Sequence, residues 1–245
     1  GKKLSKNGFI VESMKRLTIR EAEMLAQKFR IELGLSMFEP ISTKTVLRKL
    51  GILTMYRPLS DNSFGISAKS ESGKMFMLVN SNSTRGRQHF TIAHELYHLF
   101  YDKNPEPHMC GDIVSAAEKD ANLFASAFLM PREGILNIVG ESEVKSHKVQ
   151  LATVLRMEQL FGVSRNTLLL RLKDIELIKE QCFQELKSVP VKESAIQYGY
   201  DLSLYEAGNN GMVIGDFGEK ARLLFESGRI SEGHYYELLN MISNG

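Results

Sequence analysis

Residues 90–99 read FTIAHELYHL, with His94 and His98 standing four residues apart. Apolar residues recur at helical spacing over about 88–101, and residues four apart on a helix lie on one face. The two imidazoles can therefore bind one metal ion at about 2.0–2.1 Å. Glu95 lies on the neighbouring flank, where its carboxylate can take a proton from water beside the ion. The pattern predicts a hydrolytic Zn²⁺ site with His94 and His98 as metal ligands and Glu95 as the catalytic residue.

A catalytic zinc needs a third protein ligand, and two acids at the start of the next predicted helix are candidates. That helix covers about 116–130 and contains Glu118 and Asp120 near its beginning. At about 100° per residue, Glu118 shares a face with small residues such as Ala121, which allows close approach to the histidine helix. Asp120 shares a face with the bulkier Phe124. Glu118 is therefore the preferred metal ligand, and Asp120 stays open as the alternative.

The segment before the histidines predicts two helices and three strands. Thr18 and Glu21 form a capping box, since each end of this tetrad can satisfy a backbone donor of the first turn. A polar turn with Gly73 joins two strand-like runs into a hairpin. Residues 103–114 contain two prolines and predict a loop. The predicted elements are helices from Thr18 to Gly34 and about 43–50, and strands at 52–56, 64–68 and 74–80.

The chain after the metal-binding segment is predicted to be helical. Residues 148–177 are typical of a helix-turn-helix, with the turn at Gly162 and Ser164 as N-cap. We therefore predict an α+β fold in which a small sheet with helices precedes a helical, helix-turn-helix-like C-terminal part. The predicted domains are a zinc metallopeptidase domain at 1–143, the helix-turn-helix-like module at 144–178 and a C-terminal helical region at 179–245.

Composition argues against several classes of protein. The 31 basic and 29 acidic residues nearly balance, which disfavours a protein that binds nucleic acid or membrane surfaces through net charge. Two cysteines do not form a disulfide framework, and the apolar stretches are too short to span a bilayer. We expect a cytoplasmic protein with no membrane contact.

With these residues assembled, the chain from Gly65 to Pro131 resembles the ImmA/IrrE family of metallopeptidases. The resemblance implies a gluzincin-like fold, Glu118 as the third zinc ligand, and a protein substrate such as a transcriptional repressor or antitoxin-like regulator. Tyr97 stands where many relatives have a small residue. Five segments carry the resemblance: MLVN at 77–80, Arg87, FTIAHELYHL at 90–99, EKDANLFA at 118–125 and LMP at 129–131.

Several residues around the metal-binding segment have assignable roles. Asn80 and Arg87 suit a loop-tying or capping function better than catalysis. On chemistry alone, Tyr101, His108 and His147 are the candidates for stabilising the oxyanion. The strand at 75–80 is a candidate edge for an extended substrate, as an alternative to an ordinary place in the sheet.

The leading hypothesis from sequence is an intracellular zinc endopeptidase. The alternative is a non-catalytic regulatory module, or one that binds DNA or a partner, with a retained metal site. Basic residues on the second helix of the helix-turn-helix, including Arg165 and Arg171, leave DNA contact open. Asp174 and Glu176 follow at once, and Glu158 occupies a position where DNA-binding helix-turn-helices need a small residue. These acids argue against DNA contact.

Overall fold

The computed structural model describes residues 16–60, 62–102, 108–111 and 116–243. In these ranges a five-stranded sheet packs with helices, and further helices follow, which confirms the predicted α+β fold. The strands are β1 Leu53–Arg57, β2 Ser63–Lys69, β3 Met75–Asn80, β4 His108–Gly111 and β5 Val213–Ile214. The first four helices of the described ranges are α1 Ile19–Glu32, α2 Thr43–Lys49, α3 Arg85–Tyr101 and α4 Ala116–Leu129. The later helices are α5 Arg132–Leu136, α6 Glu141–Ser146, α7 Leu151–Phe161, α8 Arg165–Asp174, α9 Glu180–Ser188, α10 Val191–Gln197, α11 Phe217–Glu226 and α12 Glu232–Ser243.

The predicted capping box of α1 and the predicted hairpin are confirmed, whereas α3 begins at Arg85, three residues before the predicted start. Thr18 accepts a hydrogen bond from the Glu21 backbone while the Glu21 side chain accepts from Thr18, which completes the capping box of α1. Strands β2 and β3 pair in antiparallel register, with Gly65 opposite Val79. The turn between them closes at Gly73, whose φ of +80° is readily adopted by glycine.

The sheet has the strand order β4-β2-β3-β1-β5. Strands β1 and β3 are parallel, and the other neighbours are antiparallel. The predicted loop at 103–114 is wrong for residues 108–111, which form β4; residues 103–107 and 112–115 lie outside the described ranges. The backbone of β4 finds its hydrogen-bond partners on β2, and a pairing between distant segments leaves no periodic signal in four residues.

Strand β5 and the residues before it form a strap that crosses the first turns of α3; we define the strap as residues 203–214. At one end Ile214 pairs with Thr54 of β1 and is buried in the main core. Next to the helix the Arg85 backbone donates to the Glu206 carbonyl at 2.9 Å. The strap thereby connects the far edge of the sheet with the start of α3.

Gln88 of α3 is fully buried against the strap. Its amide nitrogen donates to the Gly208 carbonyl at 2.9 Å, and its amide oxygen accepts from the Asn209 side chain at 2.7 Å. Since both ends of this side chain bind the strap, it fixes the position at which α3 begins.

Helix α4 is held at its carboxyl end by two buried arginines. Arg30 of α1 donates to the Phe128 carbonyl, and Arg171 of α8 donates to the Met130 carbonyl at 3.1 Å. Cationic groups at a helix carboxyl end satisfy free carbonyls and interact favourably with the helix dipole. Burial lowers the pKa of Arg30 to about 10, so this group keeps its charge at neutral pH. The two contacts fix the axial position of α4, which carries Glu118 in its first turn.

The predicted helix-turn-helix is present as α7 and α8, with Gly162 at φ +64° and Ser164 capping α8. Its turn packs against α3: a Cβ on Gly86 would stand 3.1 Å from the Ser164 backbone. Within the described ranges, every helix is too short or too polar to traverse a lipid bilayer.

Candidate metal centre

The metal centre is built on the buried face of α3. His94, Glu95 and His98 are 1%, 0% and 6% exposed. Helical spacing brings the two imidazole rings side by side, with centroids 5.0 Å apart. Their Nε2 atoms lie 3.2 Å from each other.

Helix α4 brings Glu118 to the same point. Its Oε2 lies 3.1 Å from His94 Nε2, and its Oε1 lies 3.3 Å from His98 Nε2. Close approach of the helices is allowed by Ala121 and Ala125, which are fully buried one and two turns along α4. His94, His98 and Glu118 form a group whose donor atoms can reach one metal ion.

Asp120 is directed elsewhere. Its Oδ1 accepts a hydrogen bond from the Leu17 backbone at 3.0 Å, which ties the start of α1 to α4. The structure therefore brings Glu118, and not Asp120, to the histidines.

The outer nitrogen of each histidine has its own acceptor. His94 Nδ1 lies 2.9 Å from the Asn122 Oδ1, one helical turn after Glu118. His98 Nδ1 lies 3.0 Å from an Asp102 carboxylate oxygen at the end of α3. Such contacts place the ring proton on Nδ1 and leave the Nε2 lone pair directed inward. The sequence did not identify Asn122 and Asp102 as partners of the two histidines, although Asn122 shares the face of Glu118 at i+4.

The donor set fits a tetrahedral zinc ion. Donors about 2.0–2.1 Å from one ion at tetrahedral angles stand roughly 3.3 Å apart. The two Nε2 atoms lie 3.2 Å apart, His94 Nε2 lies 3.1 Å from Glu118 Oε2, and His98 Nε2 lies 3.3 Å from the other oxygen of Glu118, Oε1. Two imidazoles and a carboxylate buried at one point suit a cation, and three protein ligands would leave one tetrahedral position for water or substrate.

The electrostatics of the centre favour positive charge. Burial lowers the pKa of His98, but hydrogen bonds with Glu118 and Asp102 outweigh burial, so its pKa lies above the ordinary value. The carboxylates that stabilise a proton on His98 would stabilise a metal cation in the same place.

Glu95 is oriented by the sheet. Ser67 of β2 donates its hydroxyl to Glu95 Oε2 at 2.5 Å. Strand β2 reaches this position because Gly65 lacks a side chain: a Cβ there would stand 2.5 Å from Thr91 Cγ2 on α3. Ser67 was also missed from sequence. The small residues Gly65 and Ser67, two apart on one face of β2, are the signal that could have revealed the close approach.

The expected loop-tying or capping roles of Asn80 and Arg87 have different outcomes. Asn80 ties a loop as predicted, because its side chain accepts from the Leu59 backbone and donates to the Ser63 carbonyl. In the part of the chain that the structure describes, the Arg87 side chain forms no hydrogen bond with a loop or a helix end, and its guanidinium lies 3.6 Å above the Phe64 ring.

The candidates for oxyanion stabilisation are not brought to the metal ligands as a group. Tyr101 packs its ring among aromatic neighbours that include Phe29 and Phe124. His147 binds the Glu176 carbonyl at 2.7 Å, at the end of α6. The side chain of His108 lies outside the described residues. Tyr97 packs on Phe124 and meets His98 edge-on, with ring centroids 5.7 Å apart in each case.

The expectation that the strand at 75–80 offers an open edge is wrong. Strand β3 is paired on both sides, by β1 and by β2. The edge strand on the side of the metal centre is β4, which pairs with β2. Alternation within one strand shows which face is buried but carries no information about the order of strands, so sequence could not locate the edge.

The two arginines that the sequence suggested for an outward basic face of α8 are buried. Arg165 is 3% exposed and pairs with the buried Glu158, which also accepts from the Tyr205 hydroxyl at 2.7 Å. Arg171 is 2% exposed and binds Glu23 at 2.8 Å. Both arginines therefore stabilise the packing of α8 rather than facing solvent.

Comparison with known proteins agrees with this geometry. The family model of the M78 peptidases, described as the IrrE N-terminal-like domain, matches residues 47–173. A search of curated proteins finds no match. The matched segment contains the sheet strands β1–β4, the three converging side chains and both helices of the helix-turn-helix. Since the match covers 127 of 245 residues, the chain belongs to the M78 peptidase family with an IrrE N-terminal-like domain.

Proposed function

We propose that the protein is a zinc-dependent endopeptidase whose metal ligands are His94, His98 and Glu118 and whose general base is Glu95. One observation carries the proposal: the ligand atoms of three buried side chains lie within 4.8 Å of one another, and Ser67 binds the carboxylate of Glu95 on the buried face of α3. A zinc ion in such a site supplies Lewis acidity and makes water reactive near neutral pH.

The residues of the chain have separate tasks in the proposed hydrolysis. Glu95 accepts a proton as water attacks the scissile carbonyl, and then delivers that proton to the leaving amine. Ser67 holds one oxygen of Glu95 and thereby orients the carboxylate. Asn122 and Asp102 keep the histidine rings in the tautomer and orientation that bind metal.

The outer edge of β4 is the proposed binding surface for substrate. Residues 108 and 67 face each other across the β2–β4 pair, so β4 begins at the level of the contact between Ser67 and Glu95. An extended peptide can add to a sheet edge through main-chain hydrogen bonds. Such binding positions the peptide bond and selects extended, flexible segments.

The substrate class and the compartment belong to the same proposal. The resemblance to ImmA/IrrE metallopeptidases favours a transcriptional repressor or antitoxin-like regulator, cleaved in the cytoplasm. The packing of α8 supports a protein substrate rather than DNA contact, because Arg165 at its start and Arg171 in its last turn are buried.

The test compares the full chain with Glu95→Gln. Both proteins should hold one zinc per chain, whereas only the parent should generate new peptide amino termini in a proteome extract. General acid–base catalysis contributes on the order of 10²–10⁴-fold, and cleavage should fall by that factor. Zinc content is measured by elemental analysis, and new termini by mass spectrometry. Equal cleavage by both proteins, or a parent that binds no zinc, would overturn the proposal.

A further inference from the structure

An exposed arginine lies on the same face of α3 as the metal ligands. Arg87 precedes His94 by seven residues, which is two helical turns and a rise of roughly 10 Å. Its guanidinium rests on the Phe64 ring at 3.6 Å, and in the described part of the chain it forms no ion pair. Its hydrogen-bonding edge therefore remains available to a ligand.

Phe64 is placed under this guanidinium by an irregularity in β2. The register between β2 and β4 shifts between Ser63 and Gly65, so Phe64 is the extra residue of a bulge. Bulges redirect a side chain and often lie beside active sites. A ring beneath a guanidinium holds the planar group in one orientation through cation–π attraction. The arginine is thus fixed before any ligand arrives.

The spacing between Arg87 and the HExxH residues can be followed along α3 or along β2, and the two routes give similar distances. Ser67 contacts Glu95, and Phe64 contacts Arg87 three residues earlier on β2. Three residues of extended strand cover roughly 10 Å, equal to the rise along α3. An extended substrate on the edge of β4 would cover the same distance in three residues.

We propose that Arg87 is a specificity-determining residue that binds an acidic side chain of the substrate, about three residues from the bond that is cleaved. The inference rests on the proposed peptidase function and adds the class of substrate. A guanidinium matches the two oxygens of a carboxylate, and such a charge-assisted pair is directional. Asp or Glu at this position is therefore preferred over neutral residues, and Lys or Arg is rejected.

The test uses the zinc-loaded full chain and synthetic peptides that carry Asp, Ala or Lys at each position around a cleavable centre. The parent should favour Asp about three positions from the cleaved bond, by roughly tenfold in kcat/KM over Ala. Arg87→Ala should remove the preference, and Arg87→Glu should favour Lys. The matched control is Arg156→Glu, an equal charge change at an exposed site on α7, which should keep the preference of the parent.

A binding measurement separates this inference from the peptidase function. Glu95→Gln, with and without Arg87→Glu, is titrated with the same peptides, so that turnover plays no part. Charge-dependent binding that Arg87→Glu reverses supports the Arg87 site even if the parent cleaves nothing, in which case only the peptidase proposal fails. Binding or cleavage whose charge preference is unchanged by Arg87→Glu overturns the Arg87 proposal, as does a failure to bind any acidic peptide.

Discussion

Each of the three polar residues of the HExxH motif contacts a second residue that the motif does not contain. Asn122 faces His94, Asp102 faces His98, and Ser67 faces Glu95. The spacing of the two histidines is a local property of one helix, so sequence could predict it. The partners come from another helix, the end of α3 and the sheet, and their positions depend on packing between distant segments.

At the residue scale, substitutions of Glu118 and Asp120 on α4 should have different effects on zinc affinity. Glu118→Ala removes one of three converging donors and should weaken zinc binding by orders of magnitude, because two imidazoles alone leave the cation without a carboxylate. Asp120→Ala removes a hydrogen bond to the Leu17 backbone and should leave zinc affinity nearly unchanged. A titration with a competing chelator measures both affinities. The opposite ranking would transfer the ligand role to Asp120.

At the element scale, α3 contacts the strap, α4 and β2, which are separate segments of the chain. Helices with capping residues and apolar periodicity were predictable, since those signals are local. The strap and β4 were not predictable, because a two-residue strand at Val213 and a four-residue strand at His108 exist through pairing with β1 and β2. The metal-binding helix is thus recognisable from its own residues, but what fixes its position is not.

Gln88 provides the test of the strap. Gln88→Ala leaves the Gly208 carbonyl and the Asn209 amide without their buried partner, which should lower the free energy of unfolding by about 1–3 kcal/mol. The measurement is chemical denaturation followed by circular dichroism. Gln197→Ala, an exposed position on α10, is the matched control and should change stability by less than about 0.5 kcal/mol. Equal effects of the two substitutions would show that the strap contributes nothing to the stability of α3.

At the scale of the whole molecule, the main hydrophobic core joins the sheet to the later helices. It contains residues from Ala26 of α1 to Leu186 of α9 and Ile214 of the strap. A second, smaller cluster joins α7 and α10 to the strap through Leu155, Ala195, Leu204 and Tyr205. Helix α11 has Ala221 as its buried residue, and Leu223 beside it is 57% exposed. The last two helices therefore contribute less to the core than the segments before them.

Shortened chains test this hierarchy. A chain ending at Gly215 loses α11 and α12 and should keep zinc and an unfolding midpoint close to that of the full protein. A chain ending at Gly199 also loses the strap and should unfold at lower temperature. A chain ending at Glu143 exposes the core side of the sheet and α4 and should not fold cooperatively. Thermal unfolding and zinc content are measured for each chain. A cooperative, zinc-loaded chain of 143 residues would contradict the claim that the later helices are needed to complete the main core.

The position of the strap in the sequence determines when the start of α3 can be fixed during translation. Ile214 follows His98 by 116 residues, so at about 5–20 residues per second the ribosome delivers the strap roughly 6–23 s after the second histidine. During that interval the nascent chain already carries the HExxH segment, yet the first turns of α3 lack the partners that fix them. The partners that fix the start of α3 therefore become available only after the strap has been translated, and we expect a nascent chain that is interrupted before the strap to hold α3 less firmly.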